Sequence, residues 1–279
     1  MRRARPLVLV LLALALAACQ TASSRAPAPA AAAPAGGHRV QQIVASGTLR
    51  VGLSGDQPPF NMTARDGRII GFEVDVVRKL GEAMGLAVAL VQKPFEDLLP
   101  ALERGEVDLV MSGVTITAER NARVAFVGPY FVSGKSLLTR SPEIANVGSF
   151  AALDVPGRTY VALAGSTSEA LAREQLPRAE VVTTADYESG IERVRAGRVD
   201  AMIADFAICQ VTVWREPHAG LLTIETPLTA EPLGIALPPD DPLLVNLVDN
   251  HLRTLEWTGV LTQLKARWLA DNAWLAELP

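Results

Sequence analysis

The pattern of apolar and polar positions divides the chain into three stretches. Residues 7–18 form an unbroken apolar run, preceded by Arg2, Arg3 and Arg5. A run of twelve residues is too short to cross a bilayer, which takes about 20 residues, and it has the layout of an export leader. Residues 20–38 contain eight Ala and three Pro among nineteen positions. With almost nothing bulky to bury, this stretch is expected to be an extended tether, and Pro27, Pro29 and Pro34 interrupt any helix over residues 30–33. From Arg39 onward, β-type apolar runs alternate with segments whose apolar residues recur at helical spacing, which predicts α/β units with parallel sheets.

Two parts of this body repeat each other. Ala101-Leu-Glu-Arg-Gly105-Glu-Val107-Asp108-Leu-Val-Met-Ser112 is echoed by Arg193-Val-Arg-Ala-Gly197-Arg-Val199-Asp200-Ala-Met-Ile-Ala204. In each, an amphipathic helix stops at a glycine able to take a left-handed cap, and a Val-Asp pair opens a short apolar strand. The runs 48–53 and 159–164 correspond as first strands. Two such sets argue for two lobes of like design rather than one larger sheet. Lobe one is expected over 39–134 plus 231–279, lobe two over 141–225, with a hinge region at 135–140 and 226–230. Residues 243–268 read as two helices with a turn near Trp257-Thr258-Gly259.

Composition narrows the function classes. The formal charge is −4, and removing the three arginines of the leader takes it to −7, so nothing suggests a nucleic-acid footprint. The chain has two cysteines, Cys19 and Cys209. Cys19 closes the sequence Leu16-Ala17-Ala18-Cys19, which resembles the lipobox of bacterial lipoproteins, where the Cys becomes the acylated first residue. Cys209 then has no partner for an intramolecular disulfide. The histidines, His38, His218 and His251, are scattered, and no Ser–His–Asp set, Cys–His pair or metal-spaced cluster is evident, so no cofactor or metal is expected.

Residues Gly71-Phe72-Glu73-Val74-Asp75-Val76, with Leu80, Gly81 and Met84, match the signature of the family 3 extracytoplasmic solute-binding proteins, and on this the chain is identified as a resemblance to that family. The resemblance implies a two-lobed periplasmic-binding-protein type II fold, each lobe a mostly parallel sheet flanked by helices, with a two-strand hinge. Lys135-Ser-Leu-Leu-Thr139 and Leu233-Gly-Ile-Ala-Leu237 fit the two crossing strands. It implies a monomeric periplasmic receptor that captures an α-amino acid and hands it to the membrane permease of an ABC importer. Acylated Cys19 would anchor it in a lipid bilayer of the cell envelope.

Ligands of open α/β sheets bind beyond the carboxyl ends of the parallel strands, and here those ends carry Ser112-Gly113-Val114-Thr115-Ile116-Thr117-Ala118-Glu119-Arg120 and Ala204-Asp205. Thr117 is a candidate N-cap that sets Arg120 in a first helical turn, where a cation opposes the helix dipole. That cost suggests a role for the guanidinium elsewhere, and its planar fork matches a carboxylate. In the family, the Arg of this Ser-Gly-x-Thr-Ile-Thr-x-Glu-Arg motif clamps the ligand carboxylate, and Ser112, Gly113 and Thr115 share the site. Gly165-Ser166-Thr167 precedes a helical run, so Ser166 and Thr167 are both candidate caps and, by the resemblance, the second half of the carboxylate site. Asp205 ends an apolar strand. It needs a partner if buried, and the resemblance assigns it the ligand's ammonium, with a helix cap as the alternative.

Selectivity is read from Gln57-Pro58-Pro59-Phe60, which resembles the family's covering loop. Gln57 stands where cation-binding relatives often carry an aromatic residue, Phe60 and Phe95 are candidate apolar walls, and Ser54 replaces an acid. These departures leave neutral or acidic ligands open. An enzyme on the same scaffold, dehydrating a cyclic amino acid or keto acid as cyclohexadienyl or arogenate dehydratases do, is the rival. Its acid would have to come from Asp56, Glu96 or Glu169. The chain is not expected to be an enzyme. A third reading, a ligand sensor, would act through a partner, since no room for an output domain follows the fold before Pro279.

Overall fold

The computed structural model describes residues 39–279; the leader, Cys19 and the tether lie outside the described residues. In chain order the strands are β1 (Thr48–Leu53), β2 (Asp56–Gln57), β3 (Asn61–Thr63), β4 (Ile69–Ile70), β5 (Ala87–Gln92), β6 (Leu109–Val110) and β7 (Ala125–Ser133). They continue with β8 (Lys135–Thr139), β9 (Thr159–Leu163), β10 (Glu180–Thr184), β11 (Ala201–Asp205), β12 (Leu222–Thr223) and β13 (Glu231–Leu237). Two five-stranded sheets result, in the orders β5-β1-β6-β13-β7 and β10-β9-β11-β8-β12. A small antiparallel sheet of β2, β3 and β4 sits beside the first.

The sheets are built alike. In each, the first strand lies parallel to two neighbours, β1 with β5 and β6, and β9 with β10 and β11. The fourth position of each order is the antiparallel strand, β13 in one and β8 in the other. Those two strands are the ones by which the chain enters a lobe after crossing from its neighbour.

The repeated sequence has a physical basis here. After the helix Leu98–Glu103, Gly105 takes φ +71° while the Glu106 amide donates to the Ala101 carbonyl. After the helix Tyr187–Arg195, Gly197 takes φ +65° and the Arg198 amide donates to the Arg193 carbonyl. Both close with a left-handed glycine cap that satisfies the last carbonyls. Asp108 then accepts from the Arg50 amide of β1, and Asp200 from the Thr159 amide of β9, each at 2.8 Å. The Val-Asp pair thus pins a helix–strand turn to the first strand of its lobe.

The signature helix, Phe72–Met84, packs Phe72, Val76, Val77 and Leu80 into the core of lobe one. Gly71 opens it because a side chain there would strike the Phe60 carbonyl. The last helices, Pro242–Trp257 and Val260–Lys265, return to lobe one, and Trp268 and Trp274 pair at 5.7 Å in its core. Trp274 is therefore a packing residue.

The first crossing and the strands assigned to the crossings differ from the sequence expectation. β8 and β13 do not span the lobes; each pairs only within one sheet. All five residues of β8 are buried, so the strand serves as core of lobe two, not as hinge. The first crossing is the single residue Gly134, and the second is the run between β12 and β13. They touch, since a side chain on Gly134 would collide with the Thr229 carbonyl.

Candidate ligand site between the lobes

Beneath the site lies a fully buried carboxylate. Glu73, in the first turn of the signature helix, accepts from the Gly113 amide at 2.7 Å, from Asn61 Nδ2 at 2.6 Å and from the Tyr130 hydroxyl. Asn61 Oδ1 in turn accepts from the Gly55 amide at 2.6 Å, and Ser112 Oγ accepts from the Ser54 amide at 3.0 Å. This network fixes the loops after β1 and β6, the strand ends that face lobe two. Burial pushes the Glu73 carboxyl up, with the Tyr130, Gly113 and Asn61 hydrogen bonds opposing that shift. Ser112 is fully buried within the network, while Gly113, at φ +59°, has no room for a side chain because a Cβ would lie 2.5 Å from Gln57 Oε1.

The next residues reach across. Thr117 caps the turn Ala118–Asn121, accepting from the Arg120 amide at 3.2 Å. The Arg120 guanidinium donates to the Thr115 carbonyl at 3.1 Å and to the Gly165 carbonyl of lobe two at 3.0 Å, and stands 5.8 Å over the Phe95 ring. No carboxylate pairs with it among the described residues. Burial pulls its affinity for a proton down, against the charges of Glu119, Asp205 and Glu231. A half-buried cation satisfied only by carbonyls has capacity for an anion.

Lobe two answers with the helix Thr167–Gln175. Ser166 is its N-cap, accepting from the Glu169 amide at 3.2 Å, and Glu169 reaches back to the Gly165 amide at 2.9 Å. That reciprocal arrangement is a capping box shifted by one residue. Glu169 also holds Arg173 at 2.9 Å, so it is committed. Thr167 Oγ1 meets Thr115 Oγ1 at 3.2 Å across the lobes. A cleft of about 520 Å³ opens beside this seam, with Phe95, Arg120, Ser166 and Thr167 among its walls.

The far side of the seam is joined by Asp56, whose Oδ2 accepts from the Tyr187 amide at 3.0 Å. Its Oδ1 is buried without a partner, and burial, the main cause, raises its carboxyl above the usual range. A second cleft, of about 490 Å³, is lined here by Asp56, Pro58, Tyr187 and Ile208.

Of the residues singled out from sequence, Arg120, Ser166, Thr167 and Phe95 come together at the first cleft, and Thr115 is tied to them by its bonds to Arg120 and Thr167. Gln57 is buried against Gly113. Phe60 is only 1% exposed and packs edge-on against Phe131 in the core of lobe one, so it is core and not a cleft wall. Asp205 stands at the start of the helix Phe206–Arg215, yet its side chain makes no capping bond. It accepts instead from Lys135 Nζ at 2.8 Å. Sequence reading passed over Lys135, Glu73 and Tyr187. The signal for Lys135 was present, a lone Lys opening the apolar run of β8, where a buried charge demands a partner.

The comparisons agree with this architecture. The model of the bacterial extracellular solute-binding proteins, family 3, matches residues 49–271. Cyclohexadienyl dehydratase of Pseudomonas aeruginosa is 29% identical over 231 residues, 83% of this chain and 86% of that one. ABC transporter arginine-binding protein 1 of Escherichia coli is 25% identical over 227 residues, 80% and 91% of the two chains. Among solved structures, an ancestral amino-acid-binding protein described as a precursor of cyclohexadienyl dehydratase superposes with a TM-score of 0.75 at 33% identity, covering 82% of this chain and 99% of its own. Its relatives are thus mostly amino-acid-binding proteins, with an enzyme on the same scaffold. The fold is the two-lobed type II periplasmic-binding-protein fold, and the chain belongs to the bacterial extracellular solute-binding proteins of family 3.

Proposed function

We propose that this protein captures an α-amino acid between its lobes and delivers it to the permease of an ABC importer. One observation carries the reading: the Arg120 guanidinium bridges the lobes with hydrogen bonds to carbonyls alone, next to the N-terminus of the helix Thr167–Gln175. The ligand carboxylate takes the free face of Arg120 and the first amides of that helix. Asp205, on lobe two, receives the ammonium. The carboxylate then rests on both lobes and the ammonium on lobe two, which is what allows a ligand to hold them together. The permease partner is supported by the relationship to an ABC transporter arginine-binding protein. Anchoring through acylated Cys19 is supported by the leader pattern, and loss of radiolabelled palmitate from a Cys19→Ser variant is its check. For the ligand, a thermal-shift screen of L-amino acids against the purified protein should give one compound, or one chemical class, that raises Tm by several degrees. No shift with any of them contradicts the reading.

A dehydratase activity is the second reading, favoured by the Pseudomonas relative. Asp56 is the acid suited to it, since its carboxyl is raised by burial and one oxygen lacks a partner. Release of phenylpyruvate from prephenate, abolished in Asp56→Asn, would establish it.

A further inference from the structure

Lys135 and Asp205 are register partners on the antiparallel strands β8 and β11. Nζ lies 2.8 Å from Oδ1, with the two side chains 2% and 9% exposed. The next acid, Glu231, is 3.9 Å from the same ammonium. The lysine is held where both crossings meet: its amide donates to Thr229 Oγ1 at 2.9 Å, and its carbonyl accepts from the Leu228 amide at 2.7 Å. A buried cation of the chain itself is therefore seated on the carboxylate that the proposed function gives to the ligand's ammonium.

This matters for what the site can exclude. If the sole cation for a buried aspartate arrived with the ligand, a ligand lacking an amino group would leave that charge unpaired. The penalty would be on the order of a hundredfold or more in affinity. Here the partner is built in. We infer that Lys135 is a specificity-determining residue: it keeps Asp205 paired when a ligand brings no ammonium, so the site accepts α-keto acids alongside the corresponding α-amino acids.

The surroundings fit one cation serving two acids. Glu73, Tyr130, Tyr187, Cys209 and Arg120 all feel the Asp205 charge. Arg120 is the other cation of that set, and it is assigned to the ligand carboxylate. Among the described residues, Asp205 makes its ion pair with Lys135 alone. When an amino acid binds, Lys135 has Glu231 within a short swing of its side chain. When a keto acid binds, it stays on Asp205. The inference rests on the amino-acid reading and extends it to a second ligand class.

The test is calorimetric titration of the purified protein with matched pairs: alanine and pyruvate, phenylalanine and phenylpyruvate, glutamate and α-ketoglutarate. For the pair that binds, wild type should hold the two members within about tenfold of each other, whereas Lys135→Met should open the gap to about a hundredfold or more. The gap opens because the keto acid weakens while the amino acid, freed of a competing ammonium, tightens. Lys135→Arg, which keeps the cation, should keep the narrow gap. A hundredfold preference for the amino acid already present in wild type overturns the inference, and so does a Lys135→Met variant that weakens both members equally, the mark of a purely structural lysine. The wild-type comparison stands even if Lys135→Met folds poorly. Binding of a keto acid with no amino acid bound would support the role of Lys135 and overturn the amino-acid reading; binding of neither overturns both.

Discussion

Asp56 and Arg120 illustrate how far single residues were legible. Arg120 could be singled out because a cation in the first turn after a Thr cap opposes the helix dipole, and its guanidinium does leave its own helix for the Gly165 carbonyl. Asp56 gave no such signal; only the tertiary structure brings it to the first amide of the helix Tyr187–Arg195, 131 positions away in sequence. Its carboxyl is raised by burial, and the sign follows. A folded-state value above the unfolded one gives a contribution that is fully present below the ordinary carboxylate range and lost as pH rises through the folded value. Asp56→Asn keeps an oxygen for the Tyr187 amide without the charge. The Tm difference between variant and wild type should therefore move in the variant's favour as pH is raised from about 4 to 8. A difference independent of pH would contradict the assignment. The partner of Lys135 is equally remote, on another strand 70 positions on.

At the scale of elements, the echoed helix–glycine–Val-Asp units were the most readable part of the chain, because each is stabilised locally. The glycine cap and the helix it ends lie within a few residues, and only the aspartate's bond to the first strand is long-range. The two aspartates therefore serve the same purpose with different weight. Asp108 also holds Arg50 through both oxygens, and Asp200 has the single bond to the Thr159 amide. Asp200→Ala should cost about 1–2 kcal/mol and Asp108→Ala about 2–3 kcal/mol, hydrogen bonds to charged groups being the stronger. Urea unfolding of both variants measures this, and equal or reversed losses would contradict it. The first crossing was misplaced because an apolar run such as β8 looks alike whether it joins two lobes or fills one. Gly134 carried the information, but only contact with the Thr229 carbonyl gives it meaning. Gly134→Ala should force the two crossings apart and lower Tm, whereas Gly148→Ala, at a position with open space around its Cβ, should leave Tm within about a degree of wild type.

For the molecule as a whole, the sequence pattern was sufficient for two α/β lobes, since repetition of a local unit implies repetition of the sheet it builds. It was insufficient for the interior of the site, where Glu73, Tyr130, Lys135 and Asp205 gather from separate segments around the junction. The seam joins the lobes through few bonds: Arg120 to Gly165, Thr115 to Thr167, and Asp56 to Tyr187. Beside the buried apolar residues that the two lobes share in one cluster, Phe95 and Val114 with Tyr187 and Ile208 among them, these few hydrogen bonds leave a ligand to add attraction as the lobes close about Gly134. The central claim is that Arg120 holds the carboxylate of that ligand. Calorimetric titration of wild type and Arg120→Ala, with the amino acid that gives the largest thermal shift, tests it most directly. The account predicts 1:1 binding weakened at least about a hundredfold in the variant, the consequence of truncating one partner of a desolvated charge pair. Equal affinity in a folded Arg120→Ala protein would contradict it.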